Sequence, residues 1–375
     1  MEIVVKEIHS RKDLKDFVRF QLNLYKGNPY FVPPIISEEV KDLNPQDNPV
    51  FENIKPHYFL AYRNGEIVGR VAAFINWTEV KNQGAEKIRF GHFDVIDDLE
   101  VTKALLTKVE ELGKAHRLKY MEGPMGASNL ETAGMLTEGF DRLGTAIALY
   151  NYEYYPKHFQ QLGFAVEKKW IEFYLTVPDA IEEKIYRFAD LVTEKYKLKI
   201  LHFKNSKELQ PYIKPVFDLI DESHHDLDTF VPISEKQKEF YAKKYTQLLN
   251  PEYITFIQNA EGKLCAFAIT LPSFAKALQK TRGKIFPFGW YHLLQSQRKN
   301  DTAEFVLIGV HPDYQRKGIT SIIFRDAFET FQKHGIKYLE TNPELEENQS
   351  VQALWKAYQP KLHKRRKTFR KDLVY

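Results

Sequence analysis

From Val306 to Thr320 the chain reads Val-Leu-Ile-Gly-Val-His-Pro-Asp-Tyr-Gln-Arg-Lys-Gly-Ile-Thr. The apolar run closing at Val310 and stopped by Pro312 predicts a buried strand. Apolar residues at a spacing of three and four, from Ile322 through Phe331, predict an amphipathic helix that starts near Gly318. The turn between them offers main-chain N–H groups that lack partners inside the helix, at the positive end of its dipole. A phosphate or pyrophosphate suits such a place. Gly318 lets the main chain approach a ligand closely, and Arg316 and Lys317 add positive charge.

Other chemistry is sparser. Glu304 opens the same strand, and plain alternation puts it on one face with Val306, Ile308 and Val310. It is the one candidate general base; burial or a water relay would have to tune it, and a solvated strand end is the plainer reading. The densest polar cluster is Asp221-Glu222-Ser223-His224-His225-Asp226-Leu227-Asp228. Asp221, His224, His225 and Asp226 could receive an amine acceptor; a solvated helix end explains them as well. Adjacent histidines lack the spacing of a helical zinc pair, so no metal is expected. Cys265 sits in an apolar run and reads as a small core residue.

The elements that position these residues occur twice. Lys119-Tyr120-Met121-Glu122 and Lys337-Tyr338-Leu339-Glu340 lie 218 residues apart, and each follows an apolar strand, a loop and an amphipathic helix. Two hairpins, turning at Asn64-Gly65 and Asn259–Gly262, lie 197 residues apart. About 21 extra residues therefore separate hairpin from strand in the second half, and Pro272–Asn300 can house them. Phe274, Phe286, Phe288 and Trp290 there could wall a pocket for a long chain. At the first-half counterpart of Gln315–Gly318 stand Asp97, Asp98, Leu99 and Glu100. Acids cap a helix start well and repel a pyrophosphate, so only the second half should hold one.

Composition excludes several classes. The 375 residues, 43% hydrophobic and 28% charged, are those of an ordinary folded chain of two or more domains. One cysteine allows neither an intrachain disulfide nor a cysteine zinc cluster. A formal charge of +4 is too mild to imply nucleic acid. The start of the chain lacks a signal-peptide pattern and no run spans a membrane, so a cytoplasmic protein, monomer or homodimer, is expected. The tail from Lys361 to Lys371 is basic; nucleic acid or a membrane surface could use it, but Phe369 and Leu373 favour a final strand with a basic outer face.

Val310-x-Pro312 followed by Gln315-Arg316-Lys317-Gly318-Ile319-Thr320 resembles the GNAT superfamily of acyl-CoA-dependent N-acyltransferases. Thr320 replaces the family's usual Gly or Ala. The resemblance implies an α/β fold with mixed sheets in two tandem GNAT-like domains, 1–178 degenerate and 179–375 intact. It implies that the pyrophosphate of acetyl-CoA or another acyl-CoA rests on Gln315–Thr320, with pantetheine along Ile308, Gly309 and Val310. It also implies transfer of an acetyl or longer acyl group to a primary amine, small-molecule or peptide. The mild charge and the lack of a spanning run carry the separate expectation of no nucleic-acid and no membrane partner. The family's acid, a Tyr seven residues after an Asn, falls here on Trp355 when counted from Asn348; Tyr358, one turn on, is the substitute. In the first half the matching position is Phe159. Those two departures favour the alternative of a non-catalytic acyl-CoA-binding or scaffold protein.

Overall fold

The structure is a computed structural model that describes residues 2–224, 233–246 and 249–375. The first half contains β1 (Val4–Ile8), α1 (Arg11–Leu24), α2 (Ile36–Leu43), β2 (Ile54–Arg63), β3 (Glu66–Asn76), α3 (Trp77–Asn82) and β4 (Lys87–Val95). It continues with α4 (Leu99–Ala115), β5 (Tyr120–Gly123), β6 (Met135–Glu138), α5 (Tyr154–Gln161) and β7 (Ala165–Thr176). The second contains α6 (Glu183–Tyr196), β8 (Lys199–Leu201), α7 (Gln210–His224), α8 (Glu235–Thr246), β9 (Ile254–Gln258), β10 (Leu264–Pro272), α9 (Ala275–Thr281) and α10 (Gly289–Arg298). It closes with β11 (Thr302–Val310), α11 (Ile319–Lys333), β12 (Tyr338–Thr341), β13 (Glu344–Leu345), α12 (Gln349–Trp355) and β14 (Lys361–Asp372).

Both expected hairpins form, β2–β3 through Asn64-Gly65 at φ 53° and 82°, and β9–β10. Those positive φ values are the primed-turn geometry that Asn-Gly favours. The extra residues of the second half are α9 and α10, inside the stretch expected to hold them.

The strands form one continuous mixed sheet, ordered β1-β2-β3-β4-β5-β14-β7-β12-β11-β10-β9-β8. Its centre departs from the simple two-domain expectation. The last strand of the first half, β7, pairs with β12 of the second; the last strand of the second, β14, pairs with β5 of the first. Each half thus completes the other's sheet, and β14 and β7 pair along most of their length. The basic tail is therefore the sheet's middle rather than a basic outer face. Lys364 and Arg366 are buried in ion pairs, and Phe369 and Leu373 join the first-half core.

A chain cut to residues 179–375 would lose β7 and leave β12 with an open edge. Such a fragment is expected to aggregate on expression while the intact chain stays soluble; solubility and circular dichroism of the two would check this.

One core lies beneath α11, from Phe305 and Ile322 to Phe331 and Trp355; its first-half counterpart lies beneath α4. On the other face, α7 packs over β9 and β10. Cys265 is buried, as expected.

Candidate functional site

β11 and β12 run parallel and pair over only four positions, from Thr302↔Tyr338 to Phe305↔Thr341. Opposite β10, the register skips Val306, so that Ile269 faces Leu307 while Thr270 faces Phe305. This is a β-bulge, which bends the strand carrying it. Beyond it β11 has no strand neighbour on the β12 side; Asn342 Nδ2 donates to the Val306 carbonyl at 3.1 Å, bracing the apex of the gap. The bulge also breaks the alternation expected from sequence. Phe305, Ile308 and Val310 pack against the α11 core, whereas Leu307 packs on the α7 side. Glu304, next to Phe305, faces away from α11, so it shares no face with Ile308 and Val310. Gly309 is packed so closely by Phe267 that a Cβ would lie 2.3 Å from its ring.

From Val310 the chain turns into α11. Arg316 and Gly318 take positive φ, 58° and 82°, curling the main chain below the helix. Gly318 is the N-cap and provides no side-chain bond. Among the described residues, nothing accepts from the N–H groups of Arg316, Gly318, Ile319 and Thr320. Gln315, Arg316 and Lys317 are exposed. Gln315 Nε2 donates to the Val310 carbonyl at 3.2 Å, and the Lys317 ammonium lies over the rings of Tyr196 and Tyr314. Phe188 of α6, half exposed, covers Gly318; a Cβ there would sit 2.7 Å from its ring.

The equivalent place in the first half is shut. Asp98 caps α4, accepting from Glu100 N at 2.9 Å and Val101 N at 3.3 Å. Arg63 pairs with it at 2.7 Å. Against the burial that opposes ionisation, Arg63 and the helix N–H groups hold its carboxyl below the usual range. The gap between β4 and β5 is filled by the chain's own Gly123–Gly134 segment. Met125 N donates to the Phe90 carbonyl at 2.8 Å, and Gly91 is so close to Met125 O that a Cβ would lie 2.1 Å from it. The glycines of that segment permit close approach to the chain itself. Asp98→Ala is expected to lower stability by about 1 kcal/mol through loss of the cap, seen as a lower thermal midpoint, and to leave ligand uptake by the second half unchanged.

On the face of the sheet opposite α11 lies a row of buried charges that crosses four strands. Glu304 (β11) is in register with Glu340 (β12), and Lys364 (β14) with Glu172 (β7). Lys364 binds Glu340 and lies 3.7 Å from Glu172, which also takes Arg366 at 2.5 Å. Ser273 Oγ donates to Glu304 at 2.6 Å. Burial, reinforced by the neighbouring Glu340 carboxylate, lifts Glu304 to about 7 despite the Ser273 bond. Burial and Glu172 likewise lift Glu340 to about 7 against the pull of Lys364. His363, 3.7 Å from Glu340 and stacked on Tyr174, is pushed down to about 4 by burial and by Lys364, so it is neutral at pH 7. A cleft of about 160 Å³ opens beside His363 and Lys364, walled by Glu138, Gly139, Asp141 and Arg142. Glu304 is thus buried rather than a solvated strand end. Glu340, Glu172, Lys364 and His363 were missed; the one signal for Glu340 was its place in the repeated Lys-Tyr-x-Glu.

The other expected residues lie elsewhere. Trp355 is buried against Phe305 and Phe324, and its Nε1 donates to Glu344 at 2.6 Å. The Tyr358 ring packs on Phe324 and Phe328, and burial pushes its hydroxyl up to about 12; it lies on the α11 face, across the sheet from Glu304. Asp221 is held by Lys238 of α8 at 3.4 Å, tying two helices together, and burial raises its pKa despite that partner. His224 ends α7; its side chain, and His225 and Asp226 entirely, fall outside the described residues. Phe286, Phe288 and Trp290 face outward into solvent. Among the described residues no cluster of metal-ligating groups occurs, and no helix is long and apolar enough to cross a membrane.

Comparison with known proteins bears on the family and the fold. Residues 217–358 match the acetyltransferase (GNAT) family. Over its whole length the fold resembles a solved tandem GNAT protein from the clavulanic acid biosynthesis pathway. The TM-score is 0.60 at 14% identity, covering 100% of this chain and 99% of that one. A GCN5-related N-acetyltransferase from Sphaerobacter thermophilus superimposes with a TM-score of 0.53 at 9% identity, covering 100% and 96%. In sequence, Protein YghO of Escherichia coli (strain K12) is 27% identical over 379 residues, 99% of this chain and 95% of that protein. The bacterial ceramide synthase of Caulobacter vibrioides is 23% identical over 323 residues, 84% of this chain and 82% of that protein. The second half therefore matches the GNAT family over residues 217–358, and the chain as a whole has a tandem GNAT fold.

Proposed function

We propose that the protein is an acyl-CoA-dependent N-acyltransferase with one coenzyme site, in the second half, and a primary amine as acceptor. The observation that carries this reading is the contrast between two helix starts in one chain. α4 is capped by its own carboxylate, while α11 leaves four N–H groups open beside Arg316 and Lys317. A diphosphate would rest on Gln315–Thr320, and pantetheine would run along the free edge of β11 at Ile308, Gly309 and Val310. The residues present fit such a guest, since open N–H donors and a splayed strand are what its phosphates and amides require.

In this reading Glu304 is the base. At pH 7 a carboxyl with a pKa of about 7 is half ionised, suited to taking a proton from an ammonium. The freed amine adds to the thioester carbonyl and the carbon–sulfur bond breaks; the nitrogen gives up its second proton to the departing thiolate, so that the amide forms and coenzyme A leaves as thiol. Tyr358, buried among phenylalanines, would serve as a packed ring; the leaving thiolate, with a pKa near about 8.5, can depart without a protein acid. The name of one relative, bacterial ceramide synthase, brings long-chain amines into the set of acceptors to try.

Trp355 favours a second reading, acyl-CoA binding without turnover, because its indole N–H is already committed to Glu344. Incubating the protein with acetyl-CoA or a long-chain acyl-CoA and short or long-chain amines, while following free thiol, separates the two. Amine-dependent thiol release is expected; binding with no release for any amine would leave the scaffold.

A further inference from the structure

The stretch between β10 and β11 projects from the molecule as a basic, aromatic knob. It is built on a firm base: Ser273 binds Glu304, Gln279 Nε2 donates to the carbonyls of Pro29 at 2.8 Å and Phe31 at 3.1 Å, and Ile36 N donates to Gly283 O at 3.0 Å. α9 is thereby fixed against the first half, and α10 packs outside it. Yet the turn into α10 and its outer face bear the largest exposed apolar group among the described residues. Phe286 and Phe288 are 77% and 71% exposed, and Trp290, Tyr291 and Leu294 are exposed beside them. Isolated apolar residues on a surface need no explanation, but five contiguous ones, four of them aromatic, do. The Trp290 indole N–H is satisfied internally by the Pro287 carbonyl at 2.9 Å, so the ring can leave water without stranding a donor.

Charge identifies the partner. From Ser273 to Asn300 there are six Lys or Arg and no Asp or Glu, in a chain whose total is only +4, so the remainder is net acidic. All six basic side chains are exposed, and among the described residues only Lys276 has an ion-pair partner, Asp301 at 3.6 Å. Aromatic and leucine side chains rimmed by cations are the chemistry of a bilayer surface, where rings sit at the headgroup boundary and cations meet anionic lipid. We propose that α10 and the turn before it dock this protein peripherally on an anionic membrane surface. The knob begins at the residue that holds Glu304, so the docking element and the candidate site are joined through Ser273. The expectation of no membrane partner, drawn from the absence of a spanning segment, does not weigh against surface docking.

The test is flotation of the full-length protein with vesicles of phosphatidylcholine alone and with about 30% phosphatidylglycerol. At least tenfold greater partition onto the anionic vesicles is expected, weakening as salt rises (an order-of-magnitude expectation of roughly 10-fold or more). The triple variant Phe286→Ser, Phe288→Ser, Trp290→Ser should lose most of that partition while keeping the circular dichroism and melting temperature of wild type, which shows it folded. Lys280→Glu with Lys284→Glu and Arg298→Glu should abolish the preference for anionic lipid. A wild-type protein that ignores anionic vesicles, or an aromatic variant that floats as well as wild type, would overturn the proposal. So would a wild-type dimer that the aromatic variant dissociates and that leaves vesicles unbound, since the face would then be a contact between copies. None of these outcomes depends on whether acyl transfer occurs.

Discussion

Replacing Gly318 with aspartate is expected to remove coenzyme A uptake while leaving the protein folded. The substitution sets a negative charge beside the open N–H groups of α11, where the first half has Asp98. A negative charge against a diphosphate should cost about 3 kcal/mol or more, roughly a hundredfold in affinity. The left-handed φ of 82° costs an aspartate of order 1 kcal/mol, a minor fraction of a folded chain's stability. The Cβ would meet the ring of Phe188, and that ring, half exposed, has room to swing aside. Gly318→Ala separates charge from bulk and should weaken uptake by only about tenfold. Equal affinity in wild type and Gly318→Asp would show that this turn is not the coenzyme site.

The second large effect concerns Glu304. Glu304→Gln should lower kcat by roughly 10²- to 10⁴-fold with coenzyme uptake intact, because the carboxyl lies beyond the bulge and across the sheet from α11. In the wild type, kcat/KM should climb as pH passes about 7, following ionisation of this group; the variant should lose that rise.

Stability should move the other way. The folded pKa of Glu304 lies above its unfolded value, so the folded chain binds more protons between the two, and stability falls as pH rises through that window. Glutamine cannot ionise and avoids the loss. Glu304→Gln should therefore be the more stable protein at pH 8, by up to roughly 3 kcal/mol, and differ little at pH 5. Thermal melts of both proteins at the two pH values measure it. A variant that is slower and also less stable at pH 8 would mean that Glu304 is merely part of a structural network.

What sequence revealed was local. The two hairpins follow from Asn-Gly turns, α11 from its apolar spacing, and the open helix start from Gly318 standing where the first half has acids. What stayed hidden depends on contacts between distant segments. Lys364 and Arg366 read as an exposed basic tail because nothing near them in the chain says that β14 enters the middle of the sheet. Only pairing with β7 brings Glu172 to them. The bulge at Val306 carries no local signature, yet it decides which side chains share a face with Glu304. The aromatic residues of Phe286–Trp290 looked like pocket lining because composition cannot tell an inward ring from an outward one.

Calorimetric titration of the intact wild-type protein with coenzyme A tests the central claim most directly. One molecule bound per chain is predicted, since the first half's helix start is capped and its gap is filled by Gly123–Gly134. No heat with any coenzyme A species, or two equivalent sites per chain, would contradict it.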